Sequence, residues 1–311
     1  ELAWLNRVTA QGLADICRRT GRMNEAREWE ERAAEIRRRA EESAWDGSWY
    51  LRAFDDDGRP IGSAESDECR IDSIAQSWAA FASADQERVS EALQSAWDML
   101  VSQEDQLARL LWPAFDEGLI DPGYIKAYPP GIRENGGQYS HATAWLGMAF
   151  ARVKDPEKAF ALFNMINPVR RSDDHAKAEH YRLEPYAVAG DISAGKQHTG
   201  RGGWSWYTGA AGWAWQLATK SILGLQQIDG QLIVNPCIPP NWGGFSATLR
   251  VGGGLVSVKV EDPQGLGCAD VELTVDGKTH AGNAIVLPKN GETVELRVRI
   301  VGRNVQHPSP A

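Results

Sequence analysis

Three stretches of this sequence concentrate residues able to do chemistry, and a fourth adds one acid. The first is Ala44-Trp45-Asp46-Gly47-Ser48-Trp49-Tyr50-Leu51-Arg52-Ala53-Phe54-Asp55. A carboxyl group between two tryptophans is placed for a raised pKa, because apolar walls disfavour the carboxylate and keep the proton on. Such a group can protonate a glycosidic oxygen. Asp-Gly is also a common turn pair, so a local structural role for Asp46 stands beside the catalytic one. The second runs from Gly123 to His141 and includes Tyr128-Pro129-Pro130-Gly131-Ile132-Arg133-Glu134-Asn135-Gly136-Gly137-Gln138. Its Pro and Gly residues fix an irregular backbone, and Arg133, Glu134, Asn135, Gln138 and His141 offer the mixture of donors and acceptors that sugar hydroxyls need. The third is His198-Thr199-Gly200-Arg201-Gly202-Gly203-Trp204-Ser205-Trp206-Tyr207-Thr208-Gly209, leading into Ala210-Ala211-Gly212-Trp213. Small residues let an anion approach the backbone, and Thr208 and Gly209 open a helix whose first N–H groups suit phosphate. A Gly-rich turn that simply starts a buried helix is the alternative there. The pattern of a nucleotide-binding P-loop is absent. The fourth, Tyr181-Arg182-Leu183-Glu184-Pro185-Tyr186, sets Glu184 beside aromatics in a structural or a substrate role.

These stretches need helices to hold them. Leu2, Leu5, Val8, Leu13 and Ile16, then Ala26, Trp29, Ala33, Ile36 and Ala40, predict a helical hairpin broken at Thr20-Gly21-Arg22. Further amphipathic helices are predicted over Ile71–Ala82, Val89–Val101, Ala142–Val153 and Pro156–Ile166. Long polar loops separate them at Phe54–Glu68, Pro113–Ser140 and Asn167–Gly203, and loops of that length are uncommon unless they carry function. After about Gly230 the pattern changes to alternating, β-branched strands with turn signals at Asp276-Gly277 and Asn290-Gly291. The expected division is therefore a helical part, 1–229, carrying the chemistry, and a small antiparallel β unit, 230–311.

Composition narrows the classes. The chain has 311 residues, 42% hydrophobic and 24% charged, and a formal net charge of −9. That charge argues against a nucleic-acid partner, which calls for a basic patch. There is no apolar run long enough for a membrane span, and the start lacks the layout of a signal peptide. Four dispersed cysteines, Cys17, Cys69, Cys237 and Cys268, read as reduced thiols, and no histidine stands at metal-ligand spacing from any of them. The 13 tryptophans, all but Trp242 ahead of residue 216, fit either a Trp-rich core or sugar stacking.

Taken in order, several motifs resemble the cellobiose-phosphorylase-like family of inverting glycoside phosphorylases, in particular its β-1,2-glucan branch of 1,2-β-oligoglucan phosphorylases and the C-terminal region of cyclic β-1,2-glucan synthases. They are Trp45-Asp46-Gly47 with Arg52-Ala53-Phe54-Asp55-Asp56, Glu68-Cys69-Arg70-Ile71-Asp72 through Trp78, Tyr128-Pro129-Pro130-Gly131 with Glu134-Asn135-Gly136-Gly137 and His141, Glu184-Pro185-Tyr186, Gly202-Gly203-Trp204 with Trp206-Tyr207-Thr208-Gly209, and Pro236-Cys237-Ile238-Pro239. The likeness runs from about Ala40 to Val251.

The resemblance implies a mainly α fold, an (α/α)6 barrel followed by a β unit. It implies Asp46 as the general acid, with Arg52, His141, Thr208 and Gly209 as phosphate ligands. Arg133 matches a basic residue near the sugar on the leaving-group side, and Trp45, Glu134, Glu184 and Trp204 complete the expected substrate contacts. Inorganic phosphate is then a co-substrate, with neither cofactor nor metal expected. A β-glucan would yield α-glucose 1-phosphate. The family's segment ahead of the acid, with an Arg/Asp pair for the non-reducing sugar, is not visible in the 45 residues before Asp46. The chain therefore reads as the C-terminal portion of the barrel and of a longer enzyme, expected in the cytoplasm, alone or as part of a membrane-associated synthase. Expected partners are oligosaccharide and phosphate, its own N-terminal part or a second copy, and neither nucleic acid nor membrane. Two other readings remain open at this point. One is an inverting hydrolase, which needs a second carboxylate such as Glu134 or Glu184. The other is a non-catalytic glucan-binding module using Trp45, Trp49, Trp204 and Trp206.

Overall fold

The computed structural model describes residues 1–82, 84–118, 120–206 and 209–302. The chain divides into two compact units, Glu1–Ala149 with Leu162–Ala214, and Phe150–Ala161 with Trp215–Ala311. Among the described residues helix accounts for 40% and strand for 22%, a larger β share than a mainly helical reading anticipates.

The first unit opens with the helical hairpin, Leu2–Arg19 and Met23–Ser43. Ala26, Ala33 and Ala40 recur every seven residues on the buried face of the second helix, facing a first helix that buries Ala10, Ala14 and Cys17. Small side chains at that period let two helices approach closely. Trp4 is fully buried and meets the ring of Tyr50 edge-on, with centroids 5.1 Å apart. The hairpin thus props the segment that carries Asp46.

Helices Ser73–Phe81 and Gln86–Leu100 follow. The first of them starts after Asp72, whose Oδ1 accepts from the Ile74 N–H at 2.7 Å and so satisfies a free donor of the first turn. Gln76 then clamps the Asp46 segment to this helix. Its Oε1 accepts from the Tyr50 N–H at 2.8 Å, and its Nε2 donates to the Tyr50 carbonyl at 2.9 Å. Both groups are buried, where an unmade hydrogen bond costs about 1–3 kcal/mol. The pair Ile71–Asp72 lies antiparallel to Leu111–Trp112, and Gln138–Tyr139 lies antiparallel to Asp191–Ile192. That second pairing joins the loop before helix Ser140–Arg152 to the loop after Tyr186.

The expected long loops are partly structured. Ala53–Phe54 and Pro60–Ile61 make a short hairpin. A 3₁₀ turn occupies Gly123–Ala127, and short helices occupy Pro168–Arg171 and His175–Tyr181.

The second unit holds a three-stranded and a five-stranded sheet. In the larger sheet Val256, Val258, Val260, Leu273, Leu296, Val298 and Ile300 alternate inward. The expectation of a purely antiparallel unit needs correction. Gly254–Glu261 pairs in parallel with Thr293–Val301, because the strands between them provide the long crossover that parallel neighbours require. Asp276-Gly277 makes the tight hairpin turn, with φ of 47° and 79°. Asn290-Gly291 does not make one: the strand before it, Ala284–Val286, belongs to the smaller sheet. Among the described residues no helix is long and apolar enough to cross a membrane.

Candidate functional site

Asp46 sits in a tight turn. Its N–H donates to the Trp49 carbonyl at 2.9 Å, and Gly47 takes a φ of +90° that a side chain would resist. The carboxylate reaches across to the next loop, where Oδ2 accepts from the Ala64 N–H at 2.7 Å and Oδ1 from the Ser63 hydroxyl at 3.2 Å. The flanking indoles have other engagements. Trp45 meets Tyr50 edge-on at 5.0 Å, and Arg88 lies over its ring at 5.0 Å. The Trp49 indole N–H donates to the carbonyls of Gly62 and Arg70. Both the turn role and a half-buried, reachable carboxyl are therefore realised together.

Arg52 follows on the same segment. Its side chain is 19% exposed and pairs with Asp72, which is fully buried. Burial works against the guanidinium charge, but Asp72 outweighs it and holds the pKa of Arg52 above its usual value. Arg52, Asp55, Arg59, Phe115 and Asp121 help line an open cleft of about 490 Å³.

A second group forms around the paired segments Gln138–Tyr139 and Asp191–Ile192. His141, in the first turn of its helix, stacks on Tyr139 with centroids 5.8 Å apart and lies 5.7 Å from Trp145 and 6.5 Å from Trp213. Burial lowers its pKa, so the ring stays neutral further into the acid range than a free histidine. Gly209 packs directly on this ring: a Cβ there would stand 2.7 Å from His141 Nε2. Two residues far apart in the chain, both expected to hold phosphate, are thereby neighbours. Thr208 lies outside the described residues.

Arg133 lies 5.5 Å over the Tyr128 ring and 5.8 Å over that of Trp204. A hydrogen bond to Tyr128 raises its pKa, burial opposes this, and the negative Asp191 adds to the rise. Glu134 and Asp191 both act electrostatically on Tyr139, whose hydroxyl is raised first of all by burial. The geometry therefore gathers Arg133, Glu134, Tyr139, His141, Trp204 and Gly209 into one neighbourhood. Asp46, Trp45 and Arg52 belong to the preceding segment. Glu184 stands close to Tyr181. Among the described residues, Glu134 and Glu184 each keep Oε2 buried without a hydrogen-bond partner, as do Ser140 Oγ and Trp145 Nε1. Unpaired buried carboxylate oxygens beside cations and rings are what the hydroxyl donors of a polyol would satisfy.

Two residues of the second stretch have other work. Asn135 is fully buried, and its amide is spent on both backbone groups of Phe115 and on the Tyr128 carbonyl. Gln138, also buried, spans the Ala108 N–H and the Met165 carbonyl. They shape the loop and are not free for sugar. One organising residue was missed. Asp191 is 5% exposed and accepts from the Trp204 N–H at 3.1 Å. A Cβ on Gly203 would come within 2.3 Å of its carboxylate. The Gly202-Gly203 pair was the available signal, since such a pair marks a close approach by something else.

Comparison with known proteins shows the family. Residues 1–224 match the family described as the glycosyl hydrolase 94 superfamily, catalytic domain. Over 257 residues the sequence is 41% identical to the cyclic beta-(1,2)-glucan synthase NdvB of Rhizobium meliloti, covering 82% of this chain and 9% of that protein. It is 29% identical over 305 residues to the N,N'-diacetylchitobiose phosphorylase of Vibrio proteolyticus, covering 96% and 37%. The solabiose phosphorylase of Paenibacillus borealis is 29% identical over 275 residues, covering 88% and 35%. This chain thus spans well under half the length of each of these relatives. A solved structure titled "Sialidase" superposes with a TM-score of 0.54 at 13% identity, over 79% of this chain and 22% of that one, a likeness of fold alone.

Proposed function

The chain belongs to the glycosyl hydrolase 94 superfamily, and from that premise we propose that it contributes the acid and the phosphate site of an inverting glycoside phosphorylase. The proposed substrate is a β-linked gluco-oligosaccharide, with 1,2 linkage, and the fold is read as the C-terminal portion of an (α/α)6 barrel. The observation that carries the proposal is the packing of Gly209 on His141, beside Arg133, Glu134 and Trp204.

In this reading Asp46 passes its proton to the glycosidic oxygen as the anomeric C–O bond breaks. A phosphate oxygen attacks the anomeric carbon from the opposite face, and the products are α-glucose 1-phosphate and a glucan one residue shorter. A hydrolase needs a second carboxylate to activate water. Phosphate is already an anionic nucleophile and needs only to be held. Arg52, the neutral His141 and the backbone N–H groups at Thr208 and Gly209 hold it. Arg133, Glu134, Glu184, Trp45 and Trp204 take the sugar. Keeping the released glucose as a phosphate ester suits a cytoplasmic site.

The Oε2 atoms of Glu134 and Glu184, unpaired among the described residues, favour a second reading, an inverting hydrolase in which one of them is the base. The deciding experiment incubates β-1,2-gluco-oligosaccharides with the protein, with and without inorganic phosphate. Phosphate-dependent release of α-glucose 1-phosphate, lost in Asp46→Asn, is the expected result. Free glucose formed equally without phosphate would move the assignment to hydrolysis.

A further inference from the structure

A second cavity, within the first unit, has a volume of about 320 Å³. It lies between the Asp105-Gln106 turn, Asn164 and the segment from Arg170 to Tyr181. None of the residues assigned above to sugar or phosphate lines it. Its size falls within the roughly 300–1,000 Å³ usual for small-molecule sites.

The wall centres on Arg171. Its Nε donates to the Met165 carbonyl at 3.0 Å, and Nη2 donates to the Gln106 carbonyl. Among the described residues no carboxylate pairs with it, and burial lowers its pKa. Three of its five N–H donors remain for something else. A half-buried cation held only by carbonyls gains from an anion that completes it.

The neighbouring charges are arranged to permit one. Asp105 is occupied by the Ser102 hydroxyl at 2.9 Å and by Arg109 at 3.6 Å. Asp173 is occupied by Lys177 at 2.6 Å and by Arg170 at 3.7 Å. With Arg170, Arg171 and Lys177 against these two carboxylates, the lining carries a net positive charge. Tyr181 also lines the cavity. The residue is 1% exposed, and its O–H finds no acceptor among the described residues. Burial pushes its pKa up to about 12, so it stays a neutral donor. An unused phenol donor beside a half-buried guanidinium, with at the rim an ammonium that Asp173 and Asp174 already share at 2.6 and 3.6 Å, matches an oxyanion with several acceptor oxygens.

We propose that this cavity binds a small phosphate-bearing ligand, with the half-buried Arg171 and the buried Tyr181 as its inner contacts and Lys177 at its edge. The inference stands on these residues alone and does not depend on the catalytic reading.

The test is calorimetric titration of the whole chain with inorganic phosphate, glucose 1-phosphate and glucose. The background is His141→Ala, which removes the proposed catalytic phosphate contact. Arg171→Gln should weaken binding of the phosphate-bearing ligands about tenfold or more, the effect of losing a charged hydrogen-bond partner. Tyr181→Phe and Lys177→Ala should each weaken it several-fold. Lys177 is exposed and Tyr181→Phe keeps the ring, so these two variants decide the matter if Arg171→Gln does not fold. Tighter binding of glucose 1-phosphate than of phosphate would identify a sugar phosphate as the occupant, and equal binding the free anion. Affinity unchanged in Tyr181→Phe and Lys177→Ala, or glucose binding as tightly as its phosphate, overturns the proposal. Two phosphate sites surviving in His141→Ala, one of them lost in Arg171→Gln, would refute the catalytic assignment and leave this one standing.

Discussion

Gly209→Ala is the most direct probe of the phosphate site. The new methyl would lie 2.7 Å from His141 Nε2, about 0.7 Å inside ordinary contact. The imidazole has little room to yield. Tyr139 stacks on it, and Trp145 and Trp213 stand within 6.5 Å. Relief requires the ring and the Gly209 backbone to part by roughly that 0.7 Å. Overpacking of this kind costs about 1–3 kcal/mol where neighbours cannot move. A misplacement near 1 Å between binding groups can cost about 10²-fold in rate. The expected outcome is a KM for phosphate raised by about 10- to 100-fold, with the KM for oligosaccharide changed less than threefold and a small loss of thermal stability. Initial rates of phosphorolysis over a phosphate series at saturating glucan measure this. An unchanged KM for phosphate, with the variant folded, refutes the pairing of Gly209 and His141 as a phosphate clamp.

Asp46→Asn should lower kcat by about 10²–10⁴-fold, the usual contribution of a general acid, while calorimetry finds glucan affinity within a few-fold of wild type; near-normal turnover would remove Asp46 from the chemistry. Asp72→Asn keeps the cap on helix Ser73–Phe81 but leaves Arg52 buried without its counter-charge, and denaturant unfolding should show a loss of about 3–5 kcal/mol; a loss below 1 kcal/mol would mean the pair is solvated. His141 has a folded pKa below its unfolded value near 6.5. The unfolded chain therefore binds the extra proton first, and the contribution of His141 is complete above about pH 6.5 and is lost as the pH falls through the folded pKa. The stability difference between wild type and His141→Gln should shrink in favour of the variant between pH 7 and pH 5, and parallel pH profiles would contradict the burial of this ring.

Much of the helical frame was legible because its signals are local. Pro156–Ile166 begins and ends where its periodicity and its proline place it. The helix expected from Ile71 begins two residues later, since Ile71–Asp72 pairs with Leu111–Trp112 and the Asp72 side chain takes the capping position. Leu225–Ile228 was not anticipated as a strand, because Gln226-Gln227 carries no β-branched pattern; its pairing with Gln231–Val234 supplies what propensity lacks. The parallel pairing of Gly254–Glu261 and Thr293–Val301 is a long-range choice that alternation cannot encode. At the site, residue type identified the polar loop but could not say which amides face inward. Asn135 and Gln138 read like ligand groups and are structural, whereas Asp191, in an unremarked Gly-Asp-Ile, fixes the backbone of Trp204.

The Arg52–Asp72 pair bears on what kind of phosphate site this chain can offer. A lone buried guanidinium would hold a dianion strongly and release it slowly. Here Asp72 already offsets most of that charge and fixes the orientation of the fork through one Nη atom. The remaining N–H groups keep direction without a large excess of field. A nucleophile has to be oriented more than it has to be bound, since attraction equal in the ground and transition states does not raise kcat. The neutral His141 fits the same logic: it offers a directed donor and no net charge. On the proposed reading, a phosphate held by a buried ion pair and a neutral imidazole would exchange rapidly between solvent and the sugar. That sets it apart from the proposed site around Arg171, where among the described residues the cation has carbonyl partners but no carboxylate, and an occupant would be held by charge.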